Sequence, residues 1–229
     1  MTTTAQSIIK DAVTIAQDVT SVRWKIDEVC SFFNWAQKEV VAYRPDASQV
    51  RAAIPVVAGA KQTLPTGATK LIDVHADANG SAIRMVNREL LDLQSPTWRS
   101  TSAAVPKHFM YDVRTPTVFE VYPPASGSTT VDASYSTLPA DISIATTGGT
   151  YSDVTGNLAL ADQFAGAVVD LILYRMFSKD AEYAANQERA QSHLSAAANS
   201  LGVEIKGTAA IIPTSPGSPN HPGASRATA

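Results

Sequence analysis

Only one cysteine, Cys30, occurs in the 229 residues, so no internal disulfide framework can staple this fold. Cys30 lies inside a stretch with helical apolar spacing, where a small half-buried hydrophobe is expected rather than a nucleophile. A basic excess is missing as well. Lys and Arg number 18 against 21 Asp and Glu, for a net charge of −3. Such a balance is not built to grip nucleic acid. No apolar run reaches the ~20 residues of a membrane helix. The longest candidate, Leu158 to Phe177, is interrupted by Asp162, Asp170 and Arg175. The opening MTTTAQSIIKDA has no basic segment followed by an apolar one, so it does not read as a signal peptide. The expectation is a soluble protein made in a cytoplasm, with no membrane partner.

Recognisable chemistry is also scarce. His75, His108, His193 and His221 are far apart, with no metal-type spacing. Cys-x-x-Cys, His-Glu-x-x-His, EF-hand, Walker, Gly-x-Gly-x-x-Gly and Gly-x-Ser-x-Gly patterns do not occur. Gly148-Gly149 sits in a polar loop and opens no helix, so it is not read as a phosphate cradle. Asn79-Gly80-Ser81 matches a glycosylation acceptor, but a type I′ hairpin turn is the better reading. No catalytic residue, cofactor or metal is expected, and the chain is not read as an enzyme.

What is present is packing material. The apolar share of 45% suits an ordinary globular core, as one large domain or two small ones. Residues 4–19 read as a helix with Ile8, Ala12, Ile15, Ala16 and Val19 on one face. Residues 26–43 read as a second, with Val29, Phe32, Phe33, Ala36, Val40 and Tyr43 in line and Pro45 to stop it. The short link between them predicts an antiparallel pair. From Ile54 to about Leu138 the pattern turns β-rich. Asn79-Gly80 predicts a hairpin between Leu71–Ala76 and Ala82–Val86. Phe109–Val113 and Val118–Tyr122 predict another around Arg114-Thr115-Pro116, and Val131–Ser136 a further strand. Asn87–Leu93 reads as a short helix. A polar loop fills residues 139–157.

The C-terminal third returns to helix. Phe164, Val168, Leu171 and Ile172 make one stripe, and Val169, Leu173, Met176 and Phe177 another, as in a buried central helix. After a break at Ser178-Lys179-Asp180 comes an alanine-rich helix with Ala190, Leu194, Ala197 and Leu201 aligned, ending near Gly202. Asp170 and Arg175 are expected to form an ion pair, or to bond to the sheet or the first helical pair. His193 is expected at a packing seam. Beyond it, Pro213, Pro216, Pro219 and Pro222 recur every third residue and would share one edge of a polyproline helix. Such a tail needs a partner to order it.

The fold class read from this is α+β: a four-helix bundle from the N- and C-terminal helical pairs, bracketing a small antiparallel β-rich insertion, with an extended Pro-rich tail. The boundaries are 1–50, 51–157, 158–202 and 203–229. Predicted helix-packing residues are Phe164, Val168, Leu171, Ile172, Leu194 and Leu201. The predicted binding tail centres on Ile211, Ile212, Pro213, Pro216, Pro219 and Pro222. In the sheet region Arg84, Arg88, Arg99, Lys107 and Arg114 are nearly cancelled by Glu89, Asp92, Asp112 and Glu120, which suits a solvated or interface surface.

Taken in order, several strings resemble the head-to-tail adaptor (connector) proteins of tailed bacteriophages, in the group of short-tailed phages related to tail tubular protein A. They are Val22-Arg23-Trp24, Tyr43-Arg44-Pro45-Asp46-Ala47, Leu71-Ile72-Asp73-Val74, Val86 to Asp92 with Pro96-Thr97-Trp98, Tyr111 to Arg114, Val121 to Pro124, Leu173-Tyr174-Arg175, and Ser178 to Ala184. The similarity spans about residues 5–202. It implies a homo-oligomeric ring of about twelve copies under the portal of a DNA-filled head, a structural component of the virion. The helices would form the wall, the β-rich part would face the tail nozzle or fibres, and the C-terminal segment would reach into the portal. DNA would pass through without specific binding during genome ejection, which the mild negative charge favours. Two other readings remain open. A virion-associated hydrolase would need Asp73, His75, His108 and Asp112 to converge. A host-surface-binding module would use the β-rich region.

Overall fold

The computed structural model describes residues 3–101, 104–144, 148–180 and 184–211. Among them are five α-helices and two sheets, a mixed α+β fold. The helices are α1 (Ala5–Ile15), α2 (Ile26–Tyr43), α3 (Arg88–Gln94), α4 (Ala165–Lys179) and α5 (Ala184–Ile211). The strands are β1 (Gln49–Pro55), β2 (Gly59–Thr63), β3 (Ala68–Asp77), β4 (Arg84–Met85), β5 (His108–Tyr111), β6 (Val118–Ala125) and β7 (Thr130–Thr137). The chain divides into two compact units, one of Met1–Ser48 with Leu138–Gly207, the other built on Gln49–Thr137.

The helical unit is organised around α4, which packs against both α1 and α2. Thr4 caps α1, its hydroxyl accepting from the Ser7 N–H. One face of α1 buries Ala5, Ile8, Ile9, Ala12 and Val13. The helix stops at Ile15 rather than running to Val19. Gln17 and Ser21 adopt positive φ (58° and 53°), and Ile15 and Val19 are left exposed. Helix α2 buries Val29, Cys30, Phe33, Ala36 and Val40, while Tyr43 at its end is exposed. Fully buried Val168, Ile172, Leu173 and Met176 show why α4 is apolar nearly all round. The polar loop after Leu138 belongs to this unit. Asn34 accepts from the Ile142 N–H and donates to the Ile142 carbonyl, and buried Gln37 accepts from the Ala159 N–H. Helix α5 adds Ala190, Ala197 and Leu201 to the same core. It does not stop at Gly202 but continues to Ile211. One glycine costs a helix about 1 kcal/mol relative to alanine, too little to end it unaided.

The second unit holds a three-stranded sheet, order β1-β7-β3, and a four-stranded sheet, order β2-β6-β5-β4. Ile54, Leu71, Val74, Phe109, Phe119, Val121, Val131 and Ala133 fill its core. The β5–β6 hairpin forms around Arg114-Thr115-Pro116. The Asn79-Gly80 reading needs correction. A turn forms, but Asp77 organises it by accepting from the Asn79 and Ser81 N–H groups, and only Gly80 has positive φ (82°). After one bridge, Ala76 to Ala82, the chain leaves β3, and β4 pairs parallel with β5. Two sheets with one parallel pair therefore replace the expected single antiparallel sheet. Helix α3 starts where expected, with Asn87 accepting from the Glu89 N–H. Gln49 at the start of β1 pairs with Ser136 near the end of β7, so the chain enters and leaves this unit side by side.

Candidate functional site

A connected polar arrangement lies where α4 meets α5 and the α1–α2 link. Asp18, in that link, accepts from the backbone N–H groups of Val22, Arg23 and Trp24 at 2.8–2.9 Å. These bonds fix the tight link and deliver Trp24, only 2% exposed, into the core. There the indole donates to the Met176 carbonyl at 3.0 Å and meets Phe177 edge-on, with centroids 5.9 Å apart. His193 of α5 stacks on Phe177, centroids 5.8 Å apart, and its Nδ1 lies 2.9 Å from Asp170 Oδ1 of α4. Asn186 donates to the Asp180 carboxylate, which also pairs with Arg23. Lys179 in the last turn of α4 bonds Glu28 at 2.6 Å and complements the negative helix end.

The expectation for Asp170 and Arg175 is thus corrected. They do not pair with each other or with the first helical pair as ions. Asp170 bonds His193 of α5, and the Arg175 guanidinium lies 3.8 Å from the centroid of the Trp35 ring. Trp35 in turn sits 6.4 Å from Tyr174. Arg, Trp and Tyr are the residue types that dominate binding hot spots, and on α2 and α4 Trp35 and Tyr174 are half-buried while Arg175 is exposed. Sequence reasoning passed over Asp18 and Trp35. For Asp18 the signal was present, since an Asp before Thr20 and Ser21 in a short link is a turn-capping residue.

Phe164, Val168, Leu171, Ile172 and Leu201 are each at most 3% exposed, and Leu194 packs half-buried against the same core. Ile211 is the last residue of α5. Ile212, Pro213, Pro216, Pro219 and Pro222 lie outside the described residues.

In the β unit, Asp73 and His75 come together while His108 and Asp112 do not join them. His75 Nδ1 lies 3.6 Å from Asp73, and its Nε2 is 2.7 Å from Ser134 Oγ. That hydroxyl belongs to a residue only 1% exposed, as suits a bond that fixes the His75 ring within the sheet. His108 stacks on Tyr122, and Asp112 holds the Arg114 N–H in the β5–β6 turn. Among the described residues no group of three or more His, Cys, Asp or Glu is placed to hold a metal.

The basic residues of this unit are mostly neutralised locally. Arg99 bonds both Glu120 and Asp92, and Arg114 approaches Asp112 at 3.7 Å. The Trp98 indole and then Arg99 hold the Asp92 carboxyl below its usual range. The Arg51 guanidinium does the same for Asp132, and Arg44 for Asp46. Burial, with Asp27 nearby, pushes the Cys30 thiol up to about 11, which suits a buried packing residue. The arrangement is one of braces and latches, suited to holding surfaces in place.

Such braces and latches suit a scaffold or interaction protein. A family model described as SU10 adaptor protein matches residues 3–220, and the chain belongs to that family. The membership agrees with the resemblance to phage head-to-tail adaptors and makes the chain a structural phage component. No curated protein sequence matches it.

Proposed function

We propose that this protein is a ring-forming head-to-tail adaptor that joins the portal to the tail nozzle or fibres and lines the DNA passage. The observation that carries the reading is the adaptor family match over residues 3–220. About twelve copies stand side by side, and in each copy α1, α2, α4 and α5 act as a four-helix body forming the wall. The unit built on Gln49–Thr137 faces the tail. The segment beyond Gly202, with Ile211, Ile212 and the four prolines at its centre, engages the portal or a neighbouring copy. The protein acts by assembly in the host cytoplasm and resides in the virion at the head–tail junction.

The braced link at Asp18 and the latch at Asp170 and His193 support this reading, because preformed surfaces lose less freedom on docking. So does the net charge of −3, which lets DNA slide past without adhering. Purified protein mixed with its phage's portal should co-sediment as a ring on it. A version ending at Gly202 should keep its fold and bind portal more weakly. Failure of the full chain to co-sediment would overturn the proposal, and undiminished binding by the truncated chain would remove the role given to the tail.

A further inference from the structure

The two edges of the three-stranded sheet are treated differently. On β3 the pairing with β7 shifts register between Ala68 and Lys70, Leu71 and Asp73, and Val74 and Ala76. Such irregularities twist an edge and blunt it against further pairing. On β1 the pairing with β7 runs without a shift from Gln49 to Pro55. The Val56 N–H donates to the Thr129 carbonyl, which fixes the parity of the ladder. Val50, Ala52 and Ile54 therefore bond to β7, while the N–H groups of Arg51 and Ala53 point away from it. Neither N–H has a backbone partner among the described residues, and both residues are exposed. Pro55, which has no N–H, falls on the same outward parity and so costs the sheet nothing.

This edge is complementary to itself. Two β1 strands related by a two-fold axis at Ala52 would set Arg51 opposite the partner's Ala53, and Ala53 opposite the partner's Arg51. Each such pair exchanges two N–H···O bonds, and the outer pairs keep one bond each, the Gln49 N–H donating to the partner's Pro55 carbonyl while the Gln49 carbonyl stays with solvent because Pro55 has no N–H. Val50 is 38% exposed at the margin of the core face and would come to lie against the partner's Ile54. Arg51 brings its own counter-ion, bonded to Asp132 at 2.9 Å, so the two arginines do not meet as bare like charges.

We propose that the β1 edge pairs antiparallel with the β1 edge of a second copy of this chain, joining two three-stranded sheets into one of six strands. The inference goes beyond the ring reading and does not rest on it, because a two-fold contact cannot close a ring of many copies. It belongs to the free protein, or to the junction of two rings, and a strand from another protein would compete for the same edge.

The test uses the full chain. Ala52 sits at a non-hydrogen-bonded pair with its symmetry mate, where Cα atoms approach to about 4.5 Å, close enough for a disulfide. Under mild oxidation Ala52→Cys should give a covalent dimer, while Ala53→Cys, displaced from its mate, should give several-fold less. Buried Cys30 provides the common background in both variants. Separately, sedimentation of the unaltered chain should move from one copy towards two as concentration rises. Ala53→Pro removes only an outward N–H, so it should keep its circular dichroism and remain a single copy. Equal cross-linking at positions 52 and 53, or equal association of the proline variant, would each overturn the proposal. Portal co-sedimentation of Ala53→Pro separates this contact from the adaptor reading: it should remain even when self-pairing is lost.

Discussion

Asp18 carries three backbone hydrogen bonds on a single carboxylate. One carboxylate, 8% exposed, satisfies three successive backbone N–H groups and sets the path into α2. Hydrogen bonds to a charged acceptor each contribute about 1.5–3 kcal/mol, with losses that overlap when one group makes several. Asp18→Ala should therefore cost about 3 kcal/mol, read as a lower urea midpoint. Asp18→Asn, keeping one acceptor oxygen, should fall between the two. Cys30 gives a second prediction at this scale. Its thiol is raised from 9.0 to about 11, mainly by burial. In the folded protein it should resist alkylation at pH 8 and react quickly once urea is added. The sign for stability follows: above pH 9 the unfolded chain ionises this thiol while the folded chain does not. The fold should thus lose stability as pH rises from 9 towards 11, and Cys30→Ala should remove that part of the slope.

At the scale of elements, the latch between α4 and α5 is the feature to challenge. Among the residues of α5 whose burial is described, the fully buried ones are mostly small, with Ala190 and Ala197 beside Leu201, and Leu194 packs half-buried against the same core. Polar contacts therefore carry an unusual share of its attachment. Asp170→Asn or His193→Ala should cost about 1–2 kcal/mol. Hydrogen exchange should show the loss in the amides of α5 before those of α4, and equal acceleration in both helices would count against the latch. These elements were unequally legible. Helices α1, α2 and α4 announce themselves because a buried face repeats every three to four residues, and α3 because Asn87 caps it. The strand β1 did not, since Arg51-Ala52-Ala53-Ile54-Pro55 has little alternation and ends in a proline. The parallel pairing of β4 with β5 was invisible because a strand's partner is chosen by the whole sheet, not by its own residues. The bond of Asp170 to His193 crosses the break at Ser178-Lys179-Asp180, and helical spacing says nothing across a break.

At the scale of the whole molecule, two units share one chain that passes from the first to the second and back again. The passage occurs on neighbouring strands, with Gln49 opposite Ser136. A chain in which 49–137 is replaced by a short Gly-Ser link should keep the helical signal of α1, α2, α4 and α5. Fragment 49–137 made alone should show a cooperative β-type unfolding transition, since its core residues all lie within it. Loss of helix in the first, or an unstructured second, would show that each unit needs the other. The excised chain should also lose self-pairing through β1 while retaining any portal binding carried by the helices and tail.

The length of α5 has a mechanical consequence. At 28 residues it spans about 42 Å, and the buried anchor Leu201 lies ten residues before its end at Ile211. Tilting it by about 10° at the Asp180 end would carry its tip through about 7 Å, roughly the width of a side-chain layer. A helix of this length magnifies a small change of angle at its base into a larger displacement at its far end.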